Sequence, residues 1–130
     1  MAVKALLFDF DGTLVDTEGP SYHSWREMYE QHGHDLPLER WVHRVGTVTP
    51  TDPLQELEKL VGAAFDRDAV LLARRRRADE LTRRERLRAG VREYLDDARR
   101  LGLLVGIVTS GSSEWVASHL ERIGERDGWD

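Results

Sequence analysis

The stretch that decides the fold is Asp9-Phe10-Asp11-Gly12-Thr13-Leu14-Val15-Asp16-Thr17, directly after the apolar segment Val3 to Phe8. A short, nearly unbroken apolar run predicts a strand that is buried on both faces, as in a parallel sheet. Gly12 permits a bend where the strand ends, so the side chains of Asp9 and Asp11 can point into one crevice. Open parallel sheets bind their ligands at this edge. The stretch therefore predicts a site at the end of the first strand.

The two acidic residues of this stretch indicate what kind of site it is. Carboxylates that lie side by side repel one another unless a cation or a shared proton relieves them. Their hard oxygen atoms suit Mg²⁺, and we expect Asp9 and Asp11 to bind it. From the residues alone, the alternative is a pair of solvated acids in a turn beside a glycine.

A second strand is predicted from Leu103 to Val108, and Thr109-Ser110-Gly111 follows it. The segment before it predicts a helix with one apolar face formed by Val91, Tyr94, Leu95, Ala98 and Leu101. The segment after it predicts another amphipathic helix. The predicted ends are Gly102 for the first helix, and Ser112 or Ser113 and Gly124 for the second. Strands that alternate with helices in this way are typical of an α/β fold.

A long segment with almost no strand character separates the two predicted strands. Its helices are predicted at Pro20 to His32, Leu38 to Val45, Leu54 to Val61, and Asp66 to Leu87, the last of which can break midway. Gly46 to Pro53 is predicted as a linker. We therefore predict an α/β core with a parallel sheet from residues 1–16 and 89–130, to which the resemblance described below adds that the core is Rossmann-like and incomplete in this chain. Residues 17–88 form an inserted helical module.

The composition sets limits on the class of protein. The 130 residues are 40% hydrophobic and 33% charged, with a net charge of −5 and no cysteine, so one globular domain is expected and disulfide frameworks are excluded. No apolar run is long enough to span a membrane, and no secretory signal pattern is present. The acidic balance disfavours nucleic acid as a partner. We predict a soluble, cytoplasmic protein, with its oligomeric state left open.

The residues quoted above also carry a resemblance to a known family. Asp9-x-Asp11-Gly12-Thr13-Leu14-Val15-Asp16-Thr17 resembles motif I of the haloacid dehalogenase-like superfamily of phosphatases and phosphomutases, and Thr109 resembles its motif II. The helical insert is similar to the C1 cap of the β-phosphoglucomutase/phosphoglycolate phosphatase branch. The resemblance implies a Rossmann-like core with a helical cap.

The resemblance also implies a role for each site residue. Asp9 is the expected nucleophile, which forms an aspartyl-phosphate, and Asp11 is the expected general acid and then base. The hydroxyl of Thr109, with the backbone N–H groups of Ser110 and Gly111, is expected to bind the phosphoryl group. Mg²⁺ is expected to be held by the side chain of Asp9, the backbone carbonyl of Asp11 and a further acid.

The implied activity is Mg²⁺-dependent hydrolysis of a small organic phosphomonoester. The presence of Asp11 favours phosphoryl transfer over dehalogenation, because a departing halide needs no proton. Ser21 and Thr49 stand where sugar phosphomutases of the branch usually carry His and Arg, which favours hydrolysis. The alternatives are a sugar phosphomutase and a catalytically incomplete phosphate-binding module.

Two elements of the family pattern are missing after Thr109. These are a lysine that stabilises the nucleophile and an acidic pair that completes the Mg²⁺ site. Lys4 and Lys59 lie in the first strand and in the insert, so neither corresponds to that lysine. We therefore expect the 130 residues to be the N-terminal portion of a longer protein, and to be inactive by themselves.

Three further features have two interpretations each. Glu18 can contact substrate at the entrance of the cap, or it can stabilise a helix N-terminus. His23 can face the cleft, although packing or solvation is the commoner role. Arg74 to Arg77 are expected to lie on a solvated helix, with steering of an anionic substrate as the alternative. Trp115 is expected to pack in the core.

Overall fold

The computed structural model describes residues 2–46 and 51–130 of the chain. In chain order the described elements are β1 (Ala5–Phe8), α1 (Glu18–Gln31), α2 (Leu38–Val42), α3 (Pro53–Val61), a 3₁₀ turn (Gly62–Ala64), α4 (Arg67–Thr82), α5 (Val91–Arg100), β2 (Leu104–Ile107) and α6 (Ser113–Ile123). Thr49 lies outside the described residues. None of the described helices is both long and apolar enough to cross a membrane.

The chain divides into two compact units. One contains Met1–Thr17 and Arg83–Asp130 and is called the core unit below. The other contains Glu18–Thr82 and is called the helical unit. The core unit holds both strands, α5 and α6, and the helical unit holds α1 to α4.

The two strands of the core unit run parallel and place two loops side by side. Phe8 lies opposite Ile107 in the register. The backbone N–H of Val108 donates to the carbonyl oxygen of Phe8 at 2.8 Å, so the pairing continues to the ends of both strands. Asp9 and Thr109 therefore leave the sheet at the same edge, where parallel sheets carry their sites.

Only one face of this sheet is covered in the described part of the chain. Leu6 and Phe8 pack against the core cluster, but Leu7 is 69% exposed and Leu104 is 58% exposed. Successive side chains of a strand point to opposite faces, and α5 and α6 supply core residues to the face of Leu6 and Phe8 alone. The prediction that the strands are buried on both faces is therefore wrong for these residues.

The core cluster joins the strands to their helices. Its buried members are Phe10, Leu14, Val15, Val91, Leu95, Ala98, Val105 and Leu120. The apolar face of α5 is narrower than predicted, because Tyr94 and Leu101 are exposed. Val91, Leu95 and Ala98 form the centre of one helical stripe, and Tyr94 and Leu101 lie at its edge. Gly102 follows the end of α5 with a φ of +67°, as predicted for a helix stop.

The helical unit has a core of its own. The buried residues are Trp25, Met28, Tyr29, Leu36, Trp41, Leu54, Leu57 and Val70. Tyr29 is fully buried, and its hydroxyl donates to the carbonyl oxygen of Pro53 at 2.9 Å, which connects α1 to the start of α3. Asp52 caps α3 by accepting the N–H of Leu54. The unit is thus held together without contributions from the strands.

The last helix of the helical unit is shorter than the sequence predicts. α4 is continuous but ends at Thr82 rather than Leu87. The residues after it join the core unit, since the N–H of Arg88 donates to the carbonyl oxygen of Leu14 at 2.8 Å and Leu87 packs against the core cluster. These backbone and apolar contacts compete with helix continuation, and the segment that begins at Arg83 belongs to the core unit.

Candidate active site

The turn after β1 is built around Phe10. The side chain of Phe10 is fully buried, and its carbonyl oxygen accepts the N–H groups of Thr13, Leu14 and Val15 at 3.0–3.3 Å. Gly12 adopts a φ of +75°, a conformation that favours glycine, and its N–H donates to the carbonyl oxygen of Val15. Because Phe10, Leu14 and Val15 are anchored in the core, the acidic residues on either side of Phe10 have fixed backbone positions.

Asp9 is exposed at the end of β1. Its Oδ1 accepts the N–H of the next residue, Phe10, at 2.7 Å. This contact orients the carboxylate by its own backbone and leaves Oδ2 without a hydrogen bond from the described residues. The carboxylate of Asp9 is therefore accessible, as a nucleophile or a metal ligand must be.

Asp11 is half-buried and accepts two side-chain hydrogen bonds on the same oxygen. The hydroxyl of Thr17 donates to its Oδ1 at 2.8 Å, and the indole Nε1–H of Trp115 donates to the same atom at 3.0 Å. The sequence predicts only a packing role for Trp115. Trp115 instead lies 104 residues away along the chain and contacts the predicted general acid directly.

The loop after β2 meets this turn at Gly111. The N–H of Gly111 donates to Oγ1 of Thr109 at 3.1 Å. A Cβ atom built on Gly111 would lie 3.5 Å from Oδ2 of Asp11, 3.5 Å from Oγ1 of Thr109 and 3.2 Å from Cδ1 of Trp115. The structure therefore brings Asp11, Thr109 and Gly111 together around one small space. Ser110 is exposed in the same loop.

The helix that follows the loop begins as predicted. Ser112 is the N-cap of α6, and its Oγ accepts the N–H of Trp115 at 3.2 Å. α6 runs to Ile123 and is closed by Gly124 in the left-handed conformation. The N-terminus of α6 therefore begins directly after the Thr109–Gly111 loop, where the helix dipole favours an anion.

The ring of Trp115 packs against a second aromatic side chain. The rings of Trp115 and His119 meet edge to face, with centroids 4.1 Å apart and planes at 76°. His119 is buried, and its ring lies 5.9 Å from the ring of Phe10. The side chain that contacts Asp11 thus rests on a side chain that packs against the core of the turn.

The oxygen atoms of the site fit Mg²⁺ as a partial set of ligands. Asp9 supplies a carboxylate and Asp11 a backbone carbonyl oxygen, and Mg²⁺ is commonly bound through one or two carboxylates together with water and substrate phosphate. Within residues 2–46 and 51–130, no group of three or more His, Asp or Glu residues lies close enough to enclose a metal ion. These two oxygen atoms would therefore hold Mg²⁺ together with water or phosphate oxygens, and the side chain of Asp11 would remain available for proton transfer.

The predicted substrate residue Glu18 lies in the helical unit and not in the core unit. It is exposed at the first residue of α1. It lines a cavity of about 410 Å³ that lies within the helical unit and has Trp25 and Trp41 among its lining residues. His23 is exposed, with its ring 5.3 Å from the ring of Tyr22.

The arginine run divides between packing and solvent. The guanidinium group of Arg74 lies 5.2 Å from the ring centroid of Trp25 and donates to Oγ of Ser21 at 2.7 Å, and burial lowers its pKa. Arg77 forms an ion pair with Glu27 of α1. The two arginines between them are exposed. Arg74 and Arg77, three residues apart on α4, therefore attach this helix to α1.

Comparisons with known proteins identify the family of this chain. A model of the haloacid dehalogenase-like hydrolase family matches residues 3–128. The chain is 38% identical over 128 residues to YhcW of Bacillus subtilis (strain 168), which is named as a candidate phosphatase; the match covers 98% of this chain and 58% of YhcW. It is 25% identical over 123 residues to the validoxylamine A 7′-phosphate phosphatase of Streptomyces hygroscopicus subsp. limoneus, over 93% of this chain and 56% of that enzyme.

A solved structure has the same fold. A crystal structure from Thermotoga maritima, described as a candidate β-phosphoglucomutase, matches with a TM-score of 0.76 and 20% identity. The match covers 98% of this chain and 59% of that chain, and at this identity it supports the fold alone. The chain thus spans somewhat more than half the length of the proteins it matches.

Proposed function

We propose that this chain, which belongs to the haloacid dehalogenase-like hydrolase family, supplies the nucleophile and the general acid–base of an enzyme that hydrolyses small organic phosphomonoesters. The observation that carries this proposal is the convergence of Asp11 and Thr109 at Gly111, where the two oxygen atoms lie 3.5 Å from one point. Asp9 stands two residues earlier, exposed at the end of the paired strand. The names of two relatives as phosphatases support the reaction class.

The proposed reaction has two steps. In the first, a carboxylate oxygen of Asp9 attacks phosphorus and forms an aspartyl-phosphate, while Asp11 donates a proton to the departing alkoxide. In the second, Asp11 takes a proton from water, and the water oxygen attacks phosphorus, which releases inorganic phosphate and restores the carboxylate of Asp9. Asp11 thus ends the cycle protonated, as it began.

The loop after β2 supplies the binding site for the phosphoryl group in this proposal. The hydroxyl of Thr109 and the backbone N–H groups of Ser110 and Gly111 are donors that match an anionic oxygen. The N–H of Gly111, which donates to Oγ1 of Thr109 in this structure, would exchange that partner for a phosphoryl oxygen. The N-terminus of α6, which begins directly afterwards, adds a favourable dipole. The absence of a side chain on Gly111 supports this role, because a Cβ atom would occupy the space.

Mg²⁺ is the metal that we propose for the site, with the carboxylate of Asp9 and an oxygen of Asp11 as its ligands in this chain. When bound, it neutralises charge that develops on the transferring phosphoryl group. The residues of the chain then perform the attack, the proton transfers and the binding of phosphoryl oxygens described above.

We assign to the helical unit the role of the cap in this enzyme. Its helices pack around a separate core, and it is inserted between the Asp11 turn and the segment that begins at Arg83. Glu18, at the start of α1, is the residue of this unit that we propose to contact substrate. Trp25 and Trp41 are among the residues that line the same cavity, and their apolar rings suit the organic part of a phosphomonoester.

Hydrolysis is favoured over phosphomutase chemistry by Ser21. This residue stands where sugar phosphomutases that the chain resembles usually carry a histidine. Its hydroxyl accepts a hydrogen bond from Arg74, and a serine in this position cannot provide an imidazole for proton transfer. Water is therefore the proposed acceptor of the phosphoryl group.

Phosphate release by the complete gene product tests the proposal. We expect turnover of a panel of phosphomonoesters with Mg²⁺ and none with EDTA. Asp9→Asn should reduce turnover to background and abolish trapping by beryllofluoride, and Asp11→Asn should reduce turnover but allow trapping. The matched control is Asp97→Asn, which removes an exposed carboxylate that pairs with Arg100 on α5. Full activity of Asp9→Asn, or an inactive wild-type protein, would contradict the proposal.

A further inference from the structure

We infer that Trp115 is a positioning residue for Asp11, an inference that rests on the proposed function. The indole N–H of Trp115 and the hydroxyl of Thr17 both donate to Oδ1 of Asp11, at 3.0 and 2.8 Å. Oδ2 receives no hydrogen bond from the described residues and lies 3.5 Å from the position of a Cβ atom on Gly111. The two donors thereby select Oδ2, which faces the loop of Thr109, as the oxygen that transfers the proton.

A carboxylate needs this kind of restraint because its terminal torsion is broad and nearly two-fold. The hydroxyl of Thr17 rotates freely about its own bond, so it can follow Oδ1 through a range of positions. The indole N–H of Trp115 has a fixed direction in the plane of a large ring and can only donate. Trp115 is therefore the partner that determines the plane of the carboxylate.

Two contacts restrain Trp115, and its ring also lies close to Gly111. Its backbone N–H donates to Oγ of Ser112 at the N-cap. Its ring packs edge to face against His119, and its Cδ1 atom lies 3.2 Å from the Cβ position of Gly111. A side chain fixed in this way can hold a catalytic group in a productive geometry, which is the requirement for efficient proton transfer.

The partial exposure of Trp115 allows its positioning role to be tested separately from a structural role. Its residue surface is 37% exposed, so Trp115→Phe keeps the ring contact with His119 and removes the N–H donor without opening a deep cavity. Trp129 provides the matched control. Its Nε1–H donates to the carbonyl oxygen of Glu125 at 2.8 Å, away from Asp11, so Trp129→Phe also removes one indole donor from the core unit.

The leaving group of the substrate shows whether Asp11 is affected. An alkyl alkoxide needs a proton as it departs, whereas p-nitrophenolate leaves without one. In the complete protein we expect Trp115→Phe to lower kcat/KM for an alkyl phosphate about 10-fold, because a misplaced acid loses part of its effect. For p-nitrophenyl phosphate we expect kcat/KM to change about 2-fold or less. Trp129→Phe should change kcat/KM by the same factor for both substrates.

A double-mutant cycle and a spectroscopic measurement complete the test. If Trp115 acts through Asp11, Trp115→Phe should have little further effect in the Asp11→Asn background, because residues that act as a unit are not additive. In the ¹⁵N–¹H spectrum, the indole peak of Trp115, assigned by its loss in Trp115→Phe, should shift in Asp11→Asn while the peak of Trp129 stays in place.

The outcomes distinguish this inference from the proposed function. A wild-type protein that releases no phosphate from any substrate would overturn the proposed function. A wild-type protein that is active, together with equal losses for both substrates in Trp115→Phe or additive losses in the double variant, would overturn the positioning role alone. A leaving-group-dependent loss that disappears without Asp11 would support it.

Discussion

Replacing Gly111 with alanine tests the site with the smallest possible change. Gly111 does not adopt a positive φ, so alanine introduces no backbone strain there. The new methyl group would lie 3.5 Å from Oδ2 of Asp11 and 3.5 Å from Oγ1 of Thr109. A phosphoryl oxygen that is bound by the loop must come within about 2.7–3.2 Å of its donors. The methyl group and that oxygen would therefore compete for the same space.

The size of the effect follows from the hydrogen bonds that are lost. Each hydrogen bond to a charged group contributes about 1.5–3 kcal/mol. The methyl group blocks the approach to the hydroxyl of Thr109 and to the N–H of Gly111. Losing both bonds at the lower end of that range costs about 3 kcal/mol, which corresponds to about a 100-fold fall in kcat/KM. Folding stability should change by no more than about 1 kcal/mol, since the contact with Cδ1 of Trp115, at 3.2 Å, requires a shift of only a few tenths of an ångström.

The assay compares Gly111→Ala with Gly106→Ala in the complete protein. A Cβ atom on Gly106 would meet only the end of the exposed Leu7 side chain, at 3.1 Å, which can rotate away. We expect Gly106→Ala to keep wild-type kcat/KM and wild-type inhibition by vanadate, whereas Gly111→Ala loses both with an unchanged melting temperature. Wild-type kcat/KM and vanadate inhibition in a folded Gly111→Ala variant would refute a phosphate site at this loop.

Three further predictions concern stability. The side chain of Leu95 is 2% exposed, so Leu95→Ala should lower the unfolding free energy of the core unit in urea by about 2–5 kcal/mol. The exposed control Leu101→Ala should lower it by less than about 0.5 kcal/mol. Equal effects of the two substitutions would contradict the assigned core. Tyr29→Phe should cost about 1–2 kcal/mol because it leaves the carbonyl oxygen at the start of α3 without its donor, and a neutral substitution would show that water replaces the hydroxyl. Burial alone would raise the pKa of Glu56, but the hydrogen bond and charge of Arg44 lower it on balance. The stabilisation that ionised Glu56 contributes is therefore present above its unfolded-state pKa and is lost as pH falls through its folded-state pKa. Glu56→Gln should be less stable than wild type at pH 7, and the difference in unfolding free energy should shrink below about pH 4. A difference independent of pH would exclude the Glu56–Arg44 ion pair as its source.

The parts of the molecule that sequence predicts well depend on local chemistry. The Asp9 turn, the N-cap at Ser112 and the helix stops at Gly102 and Gly124 each follow from a few adjacent residues. Turn and cap preferences act over three or four positions, so the sequence carries enough information to place them. The proximity of Asp9 and Thr109 follows from parallel pairing, which the alternating pattern of strands and helices already indicates.

The features that the sequence predicts poorly depend on residues far apart along the chain. The hydrogen bond between Trp115 and Asp11 joins residues 104 positions apart. An aromatic residue on the apolar face of a helix is predicted to pack in the core, so the sequence does not indicate this hydrogen bond. The exposure of Leu7 depends on which elements cover the sheet, and hydrophobicity does not reveal that. The end of α4 at Thr82 is set by the contacts that the following residues make with Leu14 and the core cluster, because tertiary contacts override helix propensity.

The position of Phe10 between Asp9 and Asp11 makes the geometry of the proposed catalytic site sensitive to interior packing. The ring of Phe10 is fully buried in the apolar interior, and its backbone is bonded to that of Asp9 on one side and Asp11 on the other. The same ring neighbours His119, which supports the indole that holds Asp11. Substitutions that enlarge or shrink the interior beneath this ring would shift both carboxylates together. Substitutions that change thermal stability in this region should therefore also change the proposed activity, and laboratory evolution for one of these properties should alter the other.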